Sequence, residues 1–192
     1  MKKAVYLLAV LFFLSIVAVK AQTYSTGTNV ISAGIGLGSS IAGYSYGSQS
    51  PAISLQYERG LWNAGPGVIS LGGYAGFKTY KYSFSDGVGD NYNEKWSYTI
   101  IGIRGAFHYT GMKTPNLDVY GGLMLSYNHL SYTGSYSGPQ GSYSGSSGGS
   151  YGSNMGFTAF VGARYFFAGN LGGFAELGYG VSYLNLGLAY KF

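Results

Sequence analysis

The sequence predicts an all-β fold: a transmembrane, antiparallel up-and-down β-barrel of about eight strands, after an N-terminal signal peptide. Three observations carry this. The chain opens on a basic, then apolar, leader. The remainder alternates between large apolar and small or polar residues with period two. The last alternating segment ends on the C-terminal Phe192.

The leader comes first. Met1-Lys2-Lys3 is a short positive region, and Ala4 to Val19 is an apolar run of sixteen residues. Val19-Lys20-Ala21 then offers small side chains at the two positions a signal peptidase reads. A spanning helix needs about twenty apolar residues, so the run is short for an anchor. The expected division is 1–21, a cleaved signal peptide, and 22–192, the barrel.

Composition bounds the rest. Charged residues make up 9% of the chain, against about 25% in an average globular protein. Glycine (34) and tyrosine (21) are abundant, which disfavours helix and suits strands joined by turns. The 46% hydrophobic content argues against disorder. With no cysteine, a disulfide scaffold, thiolate chemistry and cysteine metal sites are excluded. Without Lys2, Lys3 and Lys20, eight basic residues face six acidic ones. That balance is too weak and scattered for a nucleic-acid surface. No later stretch approaches a membrane-spanning helix, so a membrane protein of this sequence must be a closed barrel.

Eight segments alternate. They are Ile31 to Leu37, Ile53 to Glu58, Ile69 to Phe77, Thr99 to Tyr109, Leu117 to Tyr127, Phe157 to Phe167, Ala175 to Gly180 and Leu184 to Phe192. In each, odd positions are large and apolar, as in Leu117, Val119, Leu123, Leu125 and Tyr127. Even positions are small or polar, as in Asp118, Gly122 and Ser126. Successive strand side chains face opposite sides, so each segment has one greasy face. A soluble barrel would turn that face inward. Here the polar faces carry Arg104, Arg164, Glu176 and Asp118 among many glycines, which suits the narrow interior of eight strands. The greasy faces carry aliphatics centrally and aromatics at the ends, which reads as a lipid-facing band with aromatic girdles. Tyr57, Phe107, Tyr109, Tyr165 and Phe167 form the girdle at the periplasmic ends of the downward strands, with Tyr190 and Phe192.

Outer loops are expected at about residues 38–51, 82–96 and 132–154, and periplasmic turns at about 59–67, 110–116 and 168–171. The connection at Gly180-Val181-Ser182 is a tight hairpin. Thr133 to Ser153 is uncharged and nearly all Gly, Ser and Tyr, with Gly134-Ser-Tyr-Ser-Gly138 recurring as Gly141 to Gly145. This reads first as a flexible solvated loop, and second as a recognition surface, because Tyr with Ser and Gly is the pairing of binding loops. Asp86, Asp90 and Glu94 fit no calcium-loop spacing.

Little chemistry is visible. His108 should face the lumen near Asp118, but no nucleophile is placed beside it, so a structural hydrogen bond is the preferred reading. His129 falls at the outer end of the fifth strand. No catalytic, metal or cofactor site is expected. Arg104 and Arg164 should meet Glu176 in the lumen, with Glu176 between the two arginines, because an unpaired buried charge is costly. Asp118, Asn185 and Lys191 share that lumen.

The mature chain resembles the small outer-membrane β-barrel proteins of the general OmpA/OmpX type over essentially its full length. The sharpest match is Leu184-Asn-Leu-Gly-Leu-Ala-Tyr-Lys-Phe192, whose Leu188, Tyr190 and Phe192 look like the signal read by the barrel assembly machinery. The resemblance implies periplasmic chaperone transit, insertion by that machinery and residence in the outer membrane of a Gram-negative cell envelope. It does not imply an activity. The expected protein is a non-enzymatic monomer in outer-membrane lipid. Its lumen is plugged, its outer loops meet a partner the sequence does not name, and it binds no nucleic acid. A narrow, porin-like channel for small solutes is the alternative, and a lipid-modifying enzyme the third reading.

Overall fold

The computed structural model describes residues 24–39, 41, 48–86, 89–112, 114, 116–139, 141–148 and 152–192. The leader and its cleavage point lie outside the described residues. The described strands are β1 (Asn29–Leu37), β2 (Ser48–Gln49), β3 (Ala52–Ala64), β4 (Gly67–Ser85), β5 (Asn91–Tyr109), β6 (Leu117–Gly138), β7 (Gly141–Gly148), β8 (Asn154–Ala168), β9 (Leu171–Tyr179) and β10 (Leu184–Lys191).

Eight of these close a ring in the order β1-β3-β4-β5-β6-β8-β9-β10, each neighbouring pair antiparallel. β10 returns to β1, from Val30↔Lys191 to Leu37↔Leu184. Closure leaves no sheet edge in the barrel wall. All eight expected segments are strands of this ring.

The alternation read from sequence is the alternation of burial. Along β1 the pattern after Asn29 is strictly buried, exposed, buried, exposed. Outward odd positions are large and exposed, such as Ile53 (66%), Ile103 (72%) and Leu125 (60%). Inward even positions are buried and mix polar side chains, including Ser32, Gln56, Glu58, Arg104, Asp118 and Arg164, with apolar ones such as Ile100, Met124 and Phe160. The molecule is therefore inside-out relative to a soluble domain.

The lumen is tight, and glycine makes it possible. A Cβ at Gly72 would collide with the carbonyl of Tyr57, and one at Gly187 with the carbonyl of Ala33. Asn29 and Phe192 lie together at one end of the ring, Asn29 N donating to Phe192 O at 3.0 Å, the end that also holds the short turns after β3 and β8. The expected turn at 59–67 is mostly strand: β3 runs to Ala64, and only Gly65 and Pro66 separate it from β4. Gly65 has φ +55°, a conformation that glycine adopts without penalty. The extra length is absorbed by a bulge between Gly60 and Trp62, as barrel rims commonly do.

At the other end β4, β5 and β6 run on past the ring. The expected loop at 82–96 is a ladder from Tyr82↔Glu94 to Ser85↔Asn91, which leaves residues 86–90 as the connection. The expected loop at 132–154 is also largely strand. β6 continues to Gly138, and β7 pairs back on it from Gly138↔Gly141 to Ser131↔Gly148. The result is a four-stranded sheet, β4-β5-β6-β7, standing above the barrel. The Gly-Ser-Tyr repeat explains it. Gly134, Tyr136 and Gly138 face one side of β6, and Ser135 and Ser137 the other. Each tyrosine ring lies back over the glycine two residues on, where a Cβ would meet its hydroxyl, as with Tyr132 over Gly134 and Tyr143 over Gly145. The aromatic ring covers a backbone that glycine would otherwise leave bare. Between β1 and β3, Ser48–Gln49 pairs with Tyr80–Lys81; residues 40 and 42–47 lie outside the described set.

Ile103→Lys, at the middle of the exposed band, should cost about 2–4 kcal/mol of stability in lipid, as charged side chains at barrel mid-depth do. Ser144→Lys, on the standing sheet, should cost almost nothing. Urea unfolding in phospholipid vesicles compares the two, and equal losses would contradict the placement of the band.

Candidate functional site: a lumen ion chain and an aromatic sheet

Inward positions on five strands, β3, β5, β6, β8 and β9, converge on one chain of charges. Arg104 on β5 donates from Nε to Glu58 Oε1 (2.7 Å) and from Nη2 to Glu176 Oε2 (2.7 Å). Arg164 on β8 donates to the other oxygen of Glu58 and from Nη1 to Asp118 Oδ2 (3.2 Å). Tyr120 Oη donates to Glu176 Oε2 at 3.2 Å. Glu58 therefore spans the two arginines, while Glu176 meets Arg104. Reading the sequence placed Glu176 in the bridging position and missed Glu58. The signal was there: Glu58 closes the alternating run Ser54, Gln56, Glu58 on the polar face of β3. Glu58 lies 106 residues from Arg164 in the chain, so only the closed ring brings them together.

The guanidiniums are also stacked. Arg104 Cζ lies 4.0 Å from the Phe160 ring centroid, and Arg164 Cζ 4.2 Å from that of Tyr120. Desolvated cation–π contacts of this kind add to charge-assisted hydrogen bonds. Beside Arg104 and Glu176 the remaining cavity measures about 10 Å³, at or below the room one water needs.

Toward the terminal end, Asp118 continues the chain. Its Oδ1 lies 2.8 Å from His108 Nδ1, and His108 Nε2 lies 2.9 Å from Ser70 Oγ. The sequence placed no nucleophile beside His108, whereas the fold brings Ser70 there from β4. Ser-His-Asp connectivity is the pattern of hydrolytic triads. Here His108 and Ser70 have no exposed surface at all. The Tyr24 ring lies flat on His108, with centroids 3.6 Å apart and planes 3° from parallel. Tyr24 belongs to a cap that passes beneath the barrel, held by Gly27 N donating to Gly60 O (2.9 Å) and Gly60 N donating to Thr28 O (2.9 Å).

The other expected residues fall as follows. Tyr57, Phe107, Tyr109, Tyr165 and Phe167 are exposed on the outer wall, as are Leu188, Tyr190 and Phe192. Asn185 is buried and donates from Nδ2 to Ser54 Oγ at 3.1 Å. Lys191 Nζ lies 4.6 Å from the Phe166 ring centroid. His129 is half-buried on β6 and joins no cluster described here.

A closed ring with an apolar exterior and a buried ion chain has only one stable solvent arrangement, with hydrocarbon outside. The molecule is an outer-membrane β-barrel. No protein-family model matches the chain, and no curated protein matches it in sequence. Among solved structures, two of Ail, the attachment invasion locus protein of Yersinia pestis, overlie it. One of these is in complex with the heparin analogue sucrose octasulfate. Each is 18% identical and covers 88% of this chain and all of its own, with TM-scores of 0.44 and 0.47. At that identity and overlap, the fold rests on the strand ring itself.

The second site is the standing sheet. Its inner face, continuous with the lumen wall, carries an aromatic row across all four strands: Phe84, Tyr92, Tyr136 and Tyr143 are consecutive register partners. A lower row holds Trp96 and Tyr132, with ring centroids 5.7 Å apart. Between the rows lie Glu94, Gly134 and Gly145, forming an open depression of about 370 Å³. Tyr132 Oη donates to Glu94 Oε1 (3.0 Å) and Tyr136 Oη to Asp90 Oδ1 (2.8 Å). Both phenols are held above the usual tyrosine range: Tyr136 by its hydrogen bond to the Asp90 carboxylate, Tyr132 by burial and then by Glu94. They therefore stay neutral donors at any physiological pH.

Glu58→Gln should destabilise the folded barrel by about 3–5 kcal/mol, the cost of breaking a buried pair from one side. Glu176→Gln, which touches one arginine, should cost clearly less. Urea titration in detergent micelles reads both, and the reverse order would remove Glu58 from the centre of the network.

Proposed function

We propose that this outer-membrane barrel is non-enzymatic, that its lumen is closed to solutes, and that its working surface is the standing sheet. In this reading residues 1–21 are a removed signal peptide and the termini lie on the periplasmic side. Chaperones and the barrel assembly machinery deliver the chain, with Leu188, Tyr190 and Phe192 as its recognition segment. The sheet then projects outward from a monomer.

The observation that carries the closed lumen is the ion chain from Glu176 through Arg104, Glu58, Arg164 and Asp118 to His108. It crosses the interior from wall to wall, and the cavity beside it has room for about one water at most. A diffusion pore needs about sixteen strands to leave an aqueous path. Moving Arg104 or Arg164 aside would leave buried carboxylates unpaired, at a cost of several kcal/mol.

A lipid-hydrolysing role has one observation in its favour, the Ser70-His108-Asp118 connectivity. Against it stands burial. A serine with no exposed surface, under a stacked tyrosine, presents no oxygen to an ester carbonyl. Asp118 is also shared with Arg164, so the chain is better described as the end of the structural network.

Two measurements test this reading. In planar bilayers the purified protein should give no stable unitary current, and large, persistent openings would establish a channel instead. In cells, lipid A acylation should be the same with wild-type protein, with Ser70→Ala and with His108→Ala. A change tracking either variant would make the barrel an enzyme.

A further inference from the structure

We infer that the inner face of the standing sheet is a docking site for an arginine-rich, extended peptide segment. The inference rests on the contact role proposed above and names the chemistry of the partner.

Charge segregation is the first observation. Glu94 sits at an inward, even position of β5; Asp90, just before β5, accepts from the inner-face Tyr136, and Asp86 in the same connection accepts from Asp90 N at 3.0 Å. Above Lys78, that face carries no lysine or arginine among the described residues. The two basic residues of this region, Lys81 and Lys95, are on the reverse face as direct cross-strand partners. Like charges directly opposite are unfavourable, so the pairing concentrates bases where they do not offset the inner carboxylates.

The aromatic surface is the second. Tyr143 is 72% exposed, while Tyr92, 44% exposed, lies between the Phe84 and Tyr136 rings, so Tyr143 offers the most accessible ring of the row. Guanidinium groups stack on such faces and pair with carboxylates in the same plane. Tyr132 and Tyr136 each donate to a carboxylate, which places an anionic group at the rim of an aromatic ring.

Spacing selects an extended chain over a single small cation. Asp90, just before β5, and Glu94 are four residues apart, about 13 Å at strand rise, and the two aromatic rows are likewise four residues apart, with the Glu94 level midway, about 7 Å from each. Alternate side chains of an extended peptide repeat at that same 7 Å. One arginine would reach the Glu94 depression while the next but one lay over the row at Tyr136 and Tyr143.

The test uses the folded barrel in uncharged detergent micelles, with folding checked by heat-modifiable gel migration. Hexa-arginine is the probe, and maltohexaose and sucrose octasulfate are the alternatives, all read by calorimetry or fluorescence anisotropy. Hexa-arginine should bind, and more weakly as salt is raised. Asp90→Asn with Glu94→Gln should weaken it about 10-fold, the sum of two exposed charge pairs. Tyr143→Ala should weaken it about 3-fold, and Lys81→Gln with Lys95→Gln should not weaken it at all. Binding that is indifferent to the carboxylate and Tyr143 variants would overturn the inference. So would no hexa-arginine binding alongside a Tyr143-dependent sugar, sulfated or neutral; that result leaves the contact role standing. Bilayer currents or altered lipid A acylation bear instead on the broader reading, so the two failures are separable.

Discussion

Two guanidiniums share one carboxylate near the centre of an eight-stranded ring, and the rest of the barrel is arranged around that contact. Glu58 offers one oxygen to Arg104 and the other to Arg164. Neither arginine could sit in so narrow an interior without it, because a buried cation needs both a counter-charge and hydrogen-bond acceptors. The remaining partners follow from leftover donors. Arg104 turns its second edge to Glu176, Arg164 turns its own to Asp118, and Asp118 passes the chain to His108 and Ser70. Aromatic rings fill the space over the guanidinium faces. Glycines at Gly72 and Gly187 remove the atoms that would keep the walls apart.

This interior explains the exterior. Paired charges packed among inward aromatic and apolar side chains fill the lumen, so the large apolar side chains at outward positions are left to face lipid. The cost of opening the lumen is the cost of separating several buried ion pairs at once. The Ser70-His108-Asp118 connection ties β4, β5 and β6 together inside the barrel, with His108 and Ser70 fully buried. Chemistry requires access as well as geometry, and the Tyr24 ring lies flat over His108 beside the buried Ser70.

Much of the architecture was legible because strand alternation is a local property. The eight ring segments, their facing and the aromatic endings could all be read from neighbours in the chain. The standing sheet shows where that reading weakens. The repeat around Tyr136 and Tyr143 has the same period two as the barrel strands, with Tyr and Gly on one face and Ser on the other. It looked like a flexible loop because glycine and serine register as neither apolar nor charged. The ordering comes from tyrosine rings lying over glycine two residues along, a contact composition does not display. Ser70 was likewise one polar residue among many on an inward face.

The sequence by itself determined which residues face lipid and which face the lumen, since one residue's step along a strand reverses its side. It also determined that arginines and carboxylates would be enclosed together. Only the tertiary structure decided which of them meet. The height of a side chain inside a barrel depends on the stagger between strands, and that stagger accumulates around the closed ring. Glu58 and Arg164 come to the same height from positions 106 residues apart, while Glu176, far closer to Arg164 in the chain, pairs with Arg104 instead. Parity is inherited residue by residue, but partnership across a lumen is a property of the whole closed sheet.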